Sequence, residues 1–211
     1  HYRPAFDEAM RQKRADIEAI AAQPAAPDFA NTVLALEKSG AMLSRVSSVF
    51  FAMTSAHTND FLQALDEQFS TELAMLSNDI WLNDTLFSRV EAVWQARATL
   101  DAESRRLVEE TYQHFVLAGA RLNAEEKAEL KALNTESATL TSQFNQRLLA
   151  ADKAGGLVAD DVLQLEGLSA DEIATAAQAA AEKGLNDRWL IPLLNTTQQP
   201  ALSALAHRQT R

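Results

Sequence analysis

Cysteine is absent from this sequence, and its 211 residues include only 6 glycines, 5 prolines and 4 histidines. Without cysteine there is no disulfide framework and no thiolate metal site. So little glycine and proline excludes collagen-like and low-complexity disordered chains, and it leaves few interruptions to helices. No stretch reaches the ~18 uninterrupted apolar residues of a membrane span. Basic residues are the minority: 19 Lys and Arg against 29 Asp and Glu give a net charge of -10. That balance repels phosphate overall and argues against a nucleic-acid partner. Few histidines and no cysteines also leave a thin inventory for general-base or metal chemistry.

What is abundant is alanine and leucine, 39 and 28 residues, nearly a third of the chain. Both favour helix, and helical spacing recurs along the sequence. Pro4 suits the first position of a helix whose face is Phe6, Met10, Ile17 and Ile20. Gln23-Pro24-Ala25-Ala26-Pro27 breaks the chain. A second helix is expected over 31–54, with Val33, Leu36, Gly40, Leu43, Ser47 and Phe50 on one face and Gly40 at a point of close approach. Thr58 is read as the cap of a third helix carrying Leu62, Leu65, Phe69, Leu73 and Leu76. Asn83 is read as the cap of a fourth, carrying Leu86, Val90, Val93 and Leu100. A fifth carries Val108, Tyr112, Phe115 and Leu122. Asn123 and Glu126 form a capping-box pattern at the head of a sixth, whose apolar stripe is Leu130, Leu133, Leu140, Phe144 and Leu148.

After Lys153 the pattern changes. Gly155-Gly156 is a break, and Leu157-Val158 and 162–165 read as short strands. Ser169 and Glu172 form a second capping box, opening an alanine-rich helix that stops at Gly184. The apolar run 189–194 is expected to pair with the earlier strand, with Pro192 confining it to an edge or forcing a bulge. The expected fold is mainly α: an antiparallel bundle of several helices over 1–153, then a small β-hairpin-like or β–α–β element within 154–211.

The chemistry-bearing residues do not converge in sequence. The histidines stand at 1, 57, 114 and 207, so no two share the four-residue spacing of the zinc-binding His-Glu-x-x-His helix. Glu110 and His114 share a helix face and offer two metal ligands without a third; an ion pair is the plainer reading. The neighbours Glu109-Glu110, Glu125-Glu126 and Asp160-Asp161 point about 100° apart on a helix and cannot act as a catalytic pair. Arg11, Lys13 and Arg14, like Arg105-Arg106, read as solvated faces. Trp81, Trp94 and Trp189 read as core or interface residues, not substrate platforms. Gly155-Gly156 is too short for a phosphate-binding loop, and no Gly-x-Ser-x-Gly nucleophile turn exists. Asn83-Asp84-Thr85 and Asn195-Thr196-Thr197 match the glycosylation pattern and are read as chance. No catalytic, cofactor-binding or metal-binding residue emerges.

Four segments carry a resemblance: His1-Tyr2-Arg3-Pro4-Ala5-Phe6, the run 31–40 (Asn-Thr-Val-Leu-Ala-Leu-Glu-Lys-Ser-Gly), the run 140–149 (Leu-Thr-Ser-Gln-Phe-Asn-Gln-Arg-Leu-Leu) and the run 192–200 (Pro-Leu-Leu-Asn-Thr-Thr-Gln-Gln-Pro). Together they resemble the N-terminal part of the M3 family of zinc metallopeptidases, over essentially the whole chain. Asn-Thr-Thr-Gln-Gln-Pro is most similar to the bacterial peptidyl-dipeptidase (dipeptidyl carboxypeptidase) branch. The resemblance implies a much longer, mostly helical enzyme whose two halves face a deep channel that admits unstructured peptides. It implies zinc held by a His-Glu-x-x-His helix and a more distant Glu, all in the C-terminal half. The reaction implied is hydrolysis of the second-last peptide bond of oligopeptides.

None of the implied zinc ligands matches a position here, so none is carried over. The chain is therefore expected to be a non-catalytic N-terminal portion, inactive alone and binding no zinc itself. It would form scaffold and one channel wall against the C-terminal catalytic half. The abrupt ends, at His1 and in a helix opening near Pro200, agree with a piece of a longer protein. The missing cysteines agree with a cytoplasmic setting, with no membrane partner. The rival readings are a free-standing helical interaction module, and an inactive metal protein built on Glu110 and His114.

Overall fold

A computed structural model describes residues 1–194 and 196–211, and these divide into two compact units, His1–Gln143 and Phe144–Arg211. Among the described residues the elements are helices, apart from one pair of short strands. Asn195 lies outside the described residues, as do the two readings that rest on it, the triplet 195–197 and the likeness over 192–200 at that position.

The first unit begins with helix α1 (Tyr2–Ala21), which buries Phe6, Met10, Ile17 and Ile20 as the spacing predicts. Pro4 falls at the third helical position rather than the first, still within the turn whose N–H groups lack partners inside the helix. The expected second helix is three pieces. A π-helical stretch (Phe29–Leu34) runs into a single turn, α2 (Ala35–Lys38), and a break at Ser39-Gly40 precedes α3 (Ala41–Ala56). Gly40 sits at φ +75°, a left-handed conformation that interrupts the helix and that a side chain resists. It is also a close approach, because a Cβ there would lie 2.5 Å from Lys13 Cδ. Lys13 Nζ in turn donates to Ser39 Oγ at 2.6 Å, and burial lowers its pKa.

Helix α4 (Asp60–Trp81) is capped by Asn59, not Thr58: Asn59 Oδ1 accepts from Leu62 N at 3.0 Å. Asn83 caps α5 (Asp84–Gln95) as expected, and Asp101 caps α6 (Ala102–Leu117). Leu100 and Leu122 lie beyond the ends of the helices to which their spacing assigned them. Phe6, Phe50 and Phe69 make the centre of the core, fully buried from α1, α3 and α4. Phe6 stacks on Phe69 with ring centroids 3.9 Å apart, and Phe50 meets both edge-on. Leu86, Phe87 and Val90 of α5 extend this core to Tyr112 and Phe115 of α6.

Helix α7 (Ala124–Ala154) opens on the predicted box: Asn123 Oδ1 accepts from Glu126 N, and Glu126 Oε2 accepts from Asn123 N. Leu130 is half-buried, but the rest of the α7 stripe lies in the wrong place for a core. Leu133 and Leu140 are 54% and 55% exposed, and Phe144 and Leu148 are 66% and 50% exposed. The described residues α7 buries are Lys127 and Ser142.

In the second unit, β1 (Gly156–Ala159) pairs antiparallel with β2 (Trp189–Pro192), Gly156 opposite Pro192 and Ala159 opposite Trp189. The antiparallel pairing excludes the parallel crossover form of a β–α–β element. The expected strand at 162–165 is a 3-10 turn, Val162–Leu165. Asp161 Oδ1 accepts from Leu163 N, and Gln164 Oε1 accepts from Asp160 N, so side chains satisfy the backbone that a strand partner would otherwise need. Helix α8 (Ala170–Glu182) carries the predicted Ser169–Glu172 box and packs on β2. Helix α9 (Gln198–Ala204) closes the unit, whose core holds Ala159, Leu165, Ala176, Ile191, Ala201 and Leu205. Gly167, at φ +101°, lets the backbone come so close that a Cβ there would sit 2.2 Å from Ala204 O.

Candidate functional site

The residues that offered chemistry in the sequence are engaged elsewhere or far from one another. Glu110 pairs with Arg106, and the His114 ring lies against Trp81, centroids 4.0 Å apart. Glu109 turns to Arg97 at 3.2 Å, so the adjacent acids point to different partners. Asp160 meets Arg188 at 2.9 Å while Asp161 caps the 3-10 turn. Arg11 and Arg14 pair with Glu8 and Asp79. Arg11 holds the Glu8 carboxyl down to about 2, with a smaller contribution from Gln12. Trp94 stacks on Tyr112 at 4.3 Å and carries the Arg97 guanidinium over its face, while Trp189 packs on the second unit's core. Gly155 and Gly156 are closely approached by Leu193 and Leu190, so that a Cβ at either would clash. Among the described residues no three of His, Cys, Asp and Glu stand together as metal ligands. The residues present do not fit a zinc ion.

The feature that stands out is a groove in the first unit, about 660 Å³, between α4 and the first part of α7. It exists because α7 reaches α4 through long polar side chains instead of interlocking apolar ones. Gln143 Nε2 donates to Glu67 Oε1 at 3.0 Å, and the Thr71 and Thr139 hydroxyls share a hydrogen bond at 3.2 Å. Buried Asn78 donates weakly to Lys131 O at 3.4 Å and accepts from Asn134 Nδ2 at 2.7 Å. Lys127, buried, ends the ladder on Asp84 at the head of α5. These α7 positions recur at helical spacing, and Leu140 lies beside them at the edge of the groove.

Met75, Ala132 and Leu140 give the groove apolar lining, and Thr135, Glu136 and Lys131 give it polar lining. Met75 is 50% exposed. Such a surface offers apolar contact with hydrogen-bond groups beside it, and it contains no nucleophile, base and orienting group in mutual reach. The sequence held the signal for this face, since Lys127, Lys131, Asn134, Thr139 and Gln143 are polar at helical spacing. The leucine stripe outweighed it, because periodicity identifies a face without saying which neighbour covers it.

Among the described residues no helix is long and apolar enough to cross a membrane. No family model matches the chain. Over its whole length the chain is 70% identical to the dipeptidyl carboxypeptidase of Salmonella typhimurium and 68% identical to that of Escherichia coli. It is 24% identical, again along all of this chain, to a probable cytosolic oligopeptidase A of Arabidopsis thaliana. The chain spans 31% of the length of each of these relatives. The likeness expected from four short segments thus extends along the whole sequence.

Proposed function

We propose that this chain is the amino-terminal part of an M3-family zinc peptidase that releases dipeptides from the carboxyl ends of oligopeptides, and that it supplies scaffold and one wall of the substrate channel. The observation that carries this reading is the 70% identity, over the whole of this chain, to a protein named for that reaction and about three times as long. The catalytic zinc and its ligands are assigned to the part of the polypeptide beyond this chain, since the described residues here offer no cluster for it. The name of the plant relative supports a cytoplasmic setting.

In this role the chain's contribution is geometric. A rigid helical wall excludes folded protein, limits the substrate to extended peptides and keeps bulk water from the reacting bond. The Phe6–Phe50–Phe69 centre and the capped helices supply the rigidity. The net charge of -10 disfavours the approach of strongly acidic peptides.

The test is dipeptide release from a tetrapeptide with a free carboxyl end, measured for the full-length polypeptide and for the 211-residue chain, both with added zinc. The full-length protein is expected to release the terminal dipeptide and to leave the carboxyl-amidated peptide uncut. The 211-residue chain is expected to give no turnover. Chelator-sensitive turnover by the 211-residue chain would overturn its assignment as scaffold, and absence of release by the full-length protein would overturn the activity.

A further inference from the structure

Leu133 and Leu140 lie on α7 of the first unit, with Met75 of α4 beside Leu140 across the groove, and all three are at least half exposed. Their neighbours do not explain them. Three polar pairs join α4 to α7: Glu67 to Gln143, Thr71 to Thr139, Asn78 to Asn134. A helix held on its inner side by hydrogen bonds has no need of large apolar residues elsewhere, and solvent gives no return for them. Single exposed leucines are ordinary, but large apolar residues repeated at helical spacing beside a groove mark a covered surface. Phe144 and Leu148, on the part of α7 that belongs to the second unit, are exposed as well.

We infer that the Leu133–Leu140 face, with Met75 and the groove at its side, is an intramolecular docking surface for the remaining two-thirds of the same polypeptide. The inference rests on the reading of the chain as part of a longer protein, and it deepens that reading by naming the surface the rest of the protein covers. The length of chain outside this structure chooses the occupant, since the relatives extend the same sequence about threefold. The groove's lining agrees. Apolar Met75, Ala132 and Leu140 lie beside Thr135, Lys131 and Glu136, so the fit is to an amphipathic segment with an apolar face and a polar flank.

The experiment is thiol labelling of full-length protein carrying Leu140→Cys or, independently, Leu133→Cys, with the labelled peptide located by mass spectrometry. The 211-residue part contributes no cysteine of its own to these peptides. Each position is expected to label at least about tenfold more slowly in the native protein than in the same protein unfolded in urea. Native rates within about twofold of the unfolded rate at both positions would overturn the inference. Protection that disappears on dilution would also overturn it, because the cover would then be a second copy. Dipeptide release by the same unsubstituted protein is measured alongside. Protection without release leaves the docking surface standing and removes the peptidase reading; release without protection does the reverse.

Discussion

Arg89 takes its charge into the interior of the first unit without meeting a carboxylate among the described residues. It is 7% exposed. One terminal nitrogen donates to Gln23 O at 2.8 Å and Ala25 O at 3.2 Å, and the other to Asn31 Oδ1 and Thr32 Oγ1. Its Nε is left without a partner. The guanidinium thus ties the proline-bearing segment 23–27 to the π-helical stretch, satisfying carbonyls that helix geometry cannot reach. A forked, planar donor set is needed for this, which lysine lacks. Arg89→Ala is expected to destabilise the chain by about 3 kcal/mol, and Arg89→Lys by nearly as much, because several charged hydrogen bonds made by a buried guanidinium are lost. Urea unfolding checks it: the midpoint should fall with the slope unchanged. Arg89 falls three residues after Leu86 and four before Val93, so helical spacing puts it on the apolar face of α5. Its acceptors come only from the tertiary path of 23–32, which the spacing does not reveal.

The helices whose boundaries were legible are those with local signals. Asn83, the Asn123–Glu126 pair and the Ser169–Glu172 pair cap the helices they were expected to cap, because a cap involves only residues within one turn of each other. The break at Ser39-Gly40 was hidden because the apolar spacing continues through it from Leu36 to Leu43. The four residues 162–165 are too few to separate the strand period from the 3-10 period; Asp161 and Gln164 decide for the turn. The Ser169 box has a pH consequence. Ser169 Oγ and then Ser169 N donate to Glu172, and together they lower its carboxyl pKa. A carboxylate lowered in the folded state stabilises helix α8 above the unfolded range of about 4.3, and that contribution is lost as pH falls through the folded value. An NMR titration should find Glu172 below the ordinary range, and Ser169→Ala should return it toward that range while costing about 1 kcal/mol at neutral pH.

At the scale of the whole molecule, charge and apolar exposure oppose each other. The 211-residue chain carries -10, which keeps copies apart, and it also presents Leu133 and Leu140, which draw apolar surfaces together. Composition made the fold class readable, since alanine and leucine with little glycine or proline leave few alternatives to helix. It could not tell a covered leucine from an uncovered one, because burial is a property of the neighbour. If the face belongs under the rest of the polypeptide, the chain by itself should associate once its charge is screened. At low ionic strength, sedimentation should find the 23.1 kDa monomer. Raising salt to about 0.5 M brings the screening length well below 10 Å, and heavier species should then appear and grow with protein concentration. Leu133→Glu with Leu140→Glu should keep the chain monomeric throughout, since both side chains are exposed and their replacement leaves the core untouched. A mass that stays monomeric for the unsubstituted chain at every salt and concentration would mean that the exposed leucines are no adhesive surface, and the burial argued for them in the longer protein would lose its physical motive.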